Sequence, residues 1–302
     1  MSNLTQSNIK DEQASKEVDF IPDSESVLVA LGIDSVALKS TKMPRWKRTH
    51  YRAAINWLTK YKPQSEAPNL EKVRGYLEAF HHLCELEAWE AADKILFIRV
   101  TTPTTEELHK QLDTWGYYRE RAELYIKILN KLSPSLNWIF AHSLGNTYYS
   151  IGEQAEAIKY YRLALAIAQE IQNRQLEIAS LEGLGIVYHY ALGNYDQAIK
   201  CHQQSLIVAR EISERLGELT ALSNTASAYY SLGNYAKAID YYQNTLAIAR
   251  EIQQPLWEVG ALGSLGNVYR SLGDYAKAID YQLQSLVLEF RLGKIGSALA
   301  KG

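Results

Sequence analysis

The chain has 302 residues, a formal charge of −2 at pH 7, 7 prolines, 21 tyrosines and 2 cysteines. Two cysteines are too few for a disulfide framework, and no stretch approaches the ~18 apolar residues that a membrane-spanning helix needs. β-branched runs bounded by turns are nearly absent, so the composition points to an all-α chain, and the near-neutral charge singles out no class of charged partner. Residues 1–10 are polar with no apolar signal core, which leads to the expectation of a soluble, cytoplasmic protein.

Residues 1–24 are acidic and polar with few apolar side chains, and are expected to form a disordered tail. Residues 26–33 are apolar, and one or two helical turns docked on the body are expected there. Between Asp34 and Glu66 there is no acid, whereas Lys39, Lys42, Arg45, Lys47, Arg48, Arg52, Lys60 and Lys62 supply eight positive charges. The span from Arg45 to Lys60 reads as a basic amphipathic helix with Trp46, Tyr51, Ile55 and Leu58 near one face. Nucleic acid, an anionic membrane surface and an acidic protein are all compatible with such a stretch. A solvated face whose charge pairs with the acidic tail, or with Glu85, Glu87 and Glu90, is the expectation, so nucleic acid is not the expected partner.

Residues 71–134 read as two degenerate helical pairs. Trp89 opens the second helix of the first pair and Ala92 follows at a small position; Gly116 and Tyr117 make the second turn, Ala122 takes its small position, and Pro134 is expected to end that helix. His81, His82 and Cys84 have no companion cluster at metal-ligand spacing, and a closed zinc site needs about four ligands, so no metal is expected.

From Ala141 onward the chain repeats itself. Tyr148, Tyr188, Tyr229 and Tyr269 are equivalent and lie 40, 41 and 40 residues apart, the extra residue falling between Tyr188 and Gly193. Within each copy the apolar residues recur at helical spacing, then Gly152, Gly193, Gly233 or Gly273 ends the helix, and a second helix opens at or near a tyrosine such as Tyr195 or Tyr275. Gly145, Gly185, Ala226 and Gly266 on the first helices, with Ala157, Ala198, Ala238 and Ala278 on the second, are expected where two helix backbones approach closely. A repeat of this length cannot bury its own apolar face, so the copies must stack.

Over residues 137–293 these copies resemble tetratricopeptide repeats, in the longer-period form whose first helix carries Leu-Gly-Asn and whose second ends as Leu246 to Glu251 do. That resemblance implies an all-α, right-handed superhelix of helix-turn-helix pairs that scaffolds other proteins and holds a peptide or helix in its concave groove. The first helices line such a groove, which by register assigns to it His142, Asn146, Tyr149, Glu182, Ile186, His189, Ser223, Ser227, Tyr230, Asn267 and Arg270. In Leu-Gly-Asn adaptors the asparagine hydrogen-bonds an extended peptide, a role that carries over only to Asn146 and Asn267. Tyr148 and Tyr229 are expected in the core. Upstream, Tyr76 to Cys84 and Leu112 to Arg119 are similar to a region of bacterial STAND-class signalling ATPases that precedes their repeat array, which implies a regulatory or sensor arm. No Gly-x-x-x-x-Gly-Lys-Ser/Thr loop accompanies it.

No chemistry is expected from the remaining residues. Cys201 and His202 occupy the slot of paired tyrosines in sister copies, so His202 reads as a packing substitute, and neither an enzyme nor a cofactor is anticipated. The expected organisation is 1–40 tail and docking segment, 41–135 helical region with the basic helix, 136–293 four repeats, and 294–302 a tail or partial capping helix. The last helix is more apolar than its sisters, with Val287, Leu288 and Phe290 where copy three has Ala247, Ile248 and Arg250. Residues 295–300 resemble the start of a fifth first helix, and this end is expected to be covered by a homo-oligomer contact or a partner.

Overall fold

The computed structural model describes residues 24–34, 42–64, 66–102 and 104–299. The acidic tail and Lys39 lie outside the described residues. The chain divides into two compact units, Met1–Leu132 and Ser133–Gly302. No strand occurs among the described residues beyond one isolated bridge between Arg99 and Glu107.

The first unit contains α1 (Ser24–Leu31), α2 (Arg45–Lys60), the single turn α3 (Asn69–Lys72), α4 (Arg74–Glu85), α5 (Trp89–Leu96), α6 (Leu108–Thr114) and α7 (Tyr118–Ile128). The apolar segment is the docked α1: Val27, Leu28 and Leu31 are buried and the helix packs on α2 and α5. Helix α2 buries Ala54 and Leu58 and lies against α4. The approach is closest at Gly75, where a Cβ would meet the Trp57 carbonyl oxygen at 2.8 Å. Trp46 does not join that face; it is 52% exposed. Pro134 does not end α7, which stops at Ile128 before Asn130 turns to φ 64°. The proline stands at the first position of the next helix, where its missing N–H costs no hydrogen bond.

The second unit is four successive helix pairs: α8 (Pro134–Ser150) with α9 (Gln154–Glu170), α10 (Arg174–Ile186) with α11 (Tyr195–Glu211), α12 (Arg215–Ser231) with α13 (Tyr235–Glu251), and α14 (Pro255–Ser271) with α15 (Tyr275–Leu299). Within this unit consecutive helices pack on one another. The turn inside each pair has one chemistry. Gly152, Gly193, Gly233 and Gly273 take φ between 61° and 80°, a region costly for residues with a Cβ. In the last three pairs Asn194, Asn234 and Asp274 then accept the backbone N–H three residues on, at 3.2–3.3 Å, capping the second helix.

The extra residue of the second pair is absorbed as a π-helical turn, Val187–Ala191, at the end of α10. Leu192 N–H reaches back to the Val187 carbonyl at 3.2 Å.

The small positions serve side chains more than backbones. A Cβ on Gly145 would meet the Tyr161 ring at 2.7 Å, one on Gly185 would enter the His202 ring, and one on Gly266 would meet Gln282 at 2.7 Å. In the first, second and fourth pairs the equivalent residue of the second helix thus plugs into a socket left by the missing side chain of the first, whereas the third pair has Ala226 at that position. The last helix also departs from its sisters, continuing unbroken through Gly293 to Leu299 instead of turning into a fifth pair. Gly185→Ala is expected to destabilise the second unit by about 1–3 kcal/mol through overpacking against His202. Gly260→Ala, where nothing lies within 4 Å of the added Cβ, should be neutral or stabilising by up to ~1 kcal/mol. Urea titration of the two variants beside the wild type measures both.

Candidate functional site

The residues assigned to the groove by register fall into two groups. In the first pair, Asn146 is exposed, and its Oδ1 accepts the Tyr161 hydroxyl at 2.5 Å. His142 is half-buried between Trp138, stacked at 4.7 Å, and Tyr161, edge-on at 5.4 Å. Burial holds its imidazole below the ordinary histidine range. In the fourth pair Asn267 is exposed and accepts from Gln282 Nε2 at 3.4 Å, and Arg270 is exposed. These asparagines are oriented by their own second helices, through the side chains that fill the sockets.

The second pair behaves differently. Glu182 is only 8% exposed, and its Oε2 accepts from His202 Nδ1 at 2.9 Å and from Asn224 Nδ2 at 2.6 Å. His189 lies on the π-helical turn and is buried, with Nε2 hydrogen-bonded to Ser231 Oγ at 2.9 Å. Burial first, and the His202 ring second, hold the His189 imidazole low. Glu182 Oε1, His189 Nδ1 and His202 Nε2 are buried without a protein hydrogen-bond partner. Glu182 and His189 are therefore interior groups and not surface contacts. The inserted residue carries Tyr190 outward instead, to 62% exposure, stacked on His189 at 4.1 Å.

In the third pair Ser223 is half-buried, Ser227 is hydrogen-bonded to the Tyr242 hydroxyl at 2.9 Å, and Tyr230 to Ser271 at 3.0 Å. Ile186 is half-buried as well. Tyr229 is a core residue, but Tyr148 is not: it is half-buried and stacked on Tyr160 at 5.4 Å, and Tyr149 packs partly buried beside it. The same stack recurs as Tyr269 on Tyr281 with Lys277 above, an edge arrangement that core periodicity does not distinguish from burial.

On the open side of the last helix, Leu286 is 60% exposed, whereas its sister Leu246 is 8% exposed beneath α14. Ile279, Leu283 and Phe290 are exposed alongside it.

In the first unit the basic residues are placed on and around α2. Lys42, Arg45, Arg52, Lys60 and Lys62 are exposed, and Lys47 and Arg48 half-buried. Among the described residues, none of Lys42, Arg45, Lys47, Arg52, Lys60 and Lys62 has a carboxylate within 4.0 Å, and Glu85 pairs instead with His81. His82 meets His50 of α2 at 3.2 Å, and Cys84 is buried, its thiol pushed up to about 11 by that burial. Burial likewise pushes the Asp93 carboxyl up to about 6. Among the described residues no group of three or more His, Cys, Asp or Glu is placed to hold a metal ion, and no helix is long and apolar enough to cross a membrane.

Models of the tetratricopeptide repeat match residues 141–171, 176–251 and 261–294. No curated protein matches the chain in sequence. Among solved structures, BtubC (BKLC) from P. vanneervenii is similar over 75% of this chain and 93% of its own, at 18% identity and a TM-score of 0.60. A signal transduction ATPase with numerous domains from Pyrococcus horikoshii, which has a tetratricopeptide repeat sensor, is similar over 95% of this chain and 42% of its own, at 17% identity and a TM-score of 0.57. A Rap protein complexed with Competence and Sporulation Factor is similar over 88% of this chain and 77% of its own, at 16% identity and a TM-score of 0.51. At these identities the likeness is one of fold.

The two groups of groove residues should separate in stability measurements. Glu182→Ala removes the acceptor of the buried His202 and the half-buried Asn224 and is expected to cost about 3 kcal/mol. Asn146→Ala, at an exposed position, should cost less than ~1 kcal/mol. Equal destabilisation of the two in urea titrations would reject this division of the groove.

Proposed function

We propose that this chain, whose residues 141–294 carry tetratricopeptide repeats, is a protein-interaction scaffold that holds a segment of a partner protein along the row of first helices α8, α10, α12 and α14. The observation that carries the reading is the row itself. Asn146 and Asn267 are exposed at equivalent positions and fixed from below by Tyr161 and Gln282, and Arg270 stands one turn further on. The Asn267 amide held this way keeps its N–H groups for a peptide backbone, and Asn146, whose Nδ2 also meets His142 Nδ1 at 3.4 Å, has a second N–H for the same use. Partly exposed Tyr149 and Tyr230, with Tyr190 between them in chain order, offer flat, rigid surface at low entropic cost. The Rap protein of similar fold, solved with Competence and Sporulation Factor, supports a binding role for such a solenoid. The reading assigns the chain no catalysis and no cofactor and places it in the cytoplasm. A mixed-polarity groove suits affinities in the micromolar range.

A second reading is a sensor arm of a signalling ATPase. It is supported by the likeness to the Pyrococcus horikoshii protein over 95% of this chain, together with the wording of Tyr76 to Cys84. Co-elution with an ATPase of that class, lost when residues 71–134 are exchanged for an unrelated helical pair, is its expected signature.

For the groove, partner capture from native lysate is expected to lose its specific partners in an Asn146→Ala/Asn267→Ala/Arg270→Ala variant whose melting temperature is unchanged. Retention of every partner by that variant would exclude the groove as the binding surface.

A further inference from the structure

Helix α2 of the first unit is amphipathic in an unusual division of labour. Its apolar side is spent on the fold: Ala54 and Leu58 are buried, and the helix packs on α4 with the Trp57 backbone pressed against Gly75. Its other side carries a continuous line of exposed donors, Arg45, Thr49, Arg52, Asn56 and Lys60, at helical spacing. At ~1.5 Å per residue this line runs for roughly 22 Å. Among the described residues the cations on it have no carboxylate within 4.0 Å.

At the head of the line stands Trp46. Its indole is more than half exposed, with Lys47 Nζ 5.5 Å from the ring centroid and the His50 ring edge-on at 6.2 Å. Its exposed ring lies beside a cation and offers a flat aromatic surface on which another ring can stack.

We propose that α2 is a binding surface for single-stranded nucleic acid, with Arg45, Arg52 and Lys60 following the phosphate backbone and Trp46 stacking on a base. Three observations select this occupant. A membrane surface needs an apolar helix face free to enter the lipid, and that face of α2 is already buried. An acidic protein would use the cations but has no need of the exposed indole beside them. Duplex nucleic acid would use the same cations but presents no base face to the ring, whereas an unpaired strand presents both. The net charge of −2 spread over the whole chain supplies little long-range steering, so binding is local, moderate and strongly dependent on salt.

The test uses the full chain and a fluorescein-labelled oligouridylate of about 15 nucleotides, read by anisotropy across a salt series. The wild type is expected to bind with a log–log salt slope near −2, as about three phosphate contacts predict for a single strand. Arg45→Glu/Arg52→Glu/Lys60→Glu should weaken binding at least tenfold and flatten the slope. Trp46→Ala should weaken it roughly five- to hundredfold with the slope unchanged. All four positions are exposed, so circular dichroism should be unaltered in both variants. If the triple variant fails to fold, the Trp46→Ala result and its unchanged salt slope decide alone. Failure of the wild type to bind the oligonucleotide overturns the proposal. So does equal affinity for a duplex, for polyglutamate or for phosphatidylserine vesicles with no effect of Trp46→Ala.

Discussion

The socket between paired helices is the constraint on which the second unit depends. A glycine on the first helix leaves room for one large side chain of the second: Tyr161 over Gly145, His202 against Gly185, Gln282 over Gly266. Because that plug sits beneath the groove row, it does two jobs with one contact. It sets the distance between helices, and its polar end orients the surface residue above it, as the Tyr161 hydroxyl does for Asn146. Core packing and surface chemistry are therefore coupled in the three pairs that have this glycine. These three pairs present different side chains over one arrangement of paired helices.

The second pair shows the coupling at its strongest. With histidine as the plug, the interior has a polar ring that requires a partner, and Glu182 turns inward to supply it, joined by Asn224 from the next pair. A buried polar group gains stability only when its partners are complete, and here Glu182 Oε1, His189 Nδ1 and His202 Nε2 remain unpaired by protein. The π-helical turn belongs to the same region. One inserted residue sends His189 inward and Tyr190 outward without disturbing the glycine turn that follows, where Gly193 keeps its positive φ. The row of exposed first-helix residues is thus interrupted at this pair, with the exposed Asn146 and Asn267 before and after it in the chain.

The first unit uses amphipathicity for a different end. Apolar residues on α1, α2 and α4 close a small core, and α2 itself contains no acid to offset its charge. Arg45, Arg52, Lys60 and Trp46 are exposed on it.

Much of this was legible in the sequence because local chemistry repeats. The spacing of 40 and 41 residues, the glycines that end first helices and the residues that follow them determine the helix pairs and their stacking, since caps and positive-φ turns depend on a few adjacent residues. Even the π-helical turn was written as one extra residue after Tyr188, though not its consequence for His189. The identity of a face was readable; what covers it was not. Periodicity placed Glu182, His189, Tyr148 and Trp46 on helix sides, but burial depends on neighbours from other helices. His202 and Asn224 enclose Glu182, Ser231 receives His189, Tyr160 stacks on Tyr148, and Trp46 stays exposed among the described residues. Those partners are 12 to 42 residues away in the chain, beyond the reach of any local pattern, so only the tertiary structure could decide which side chains become interior and which become surface.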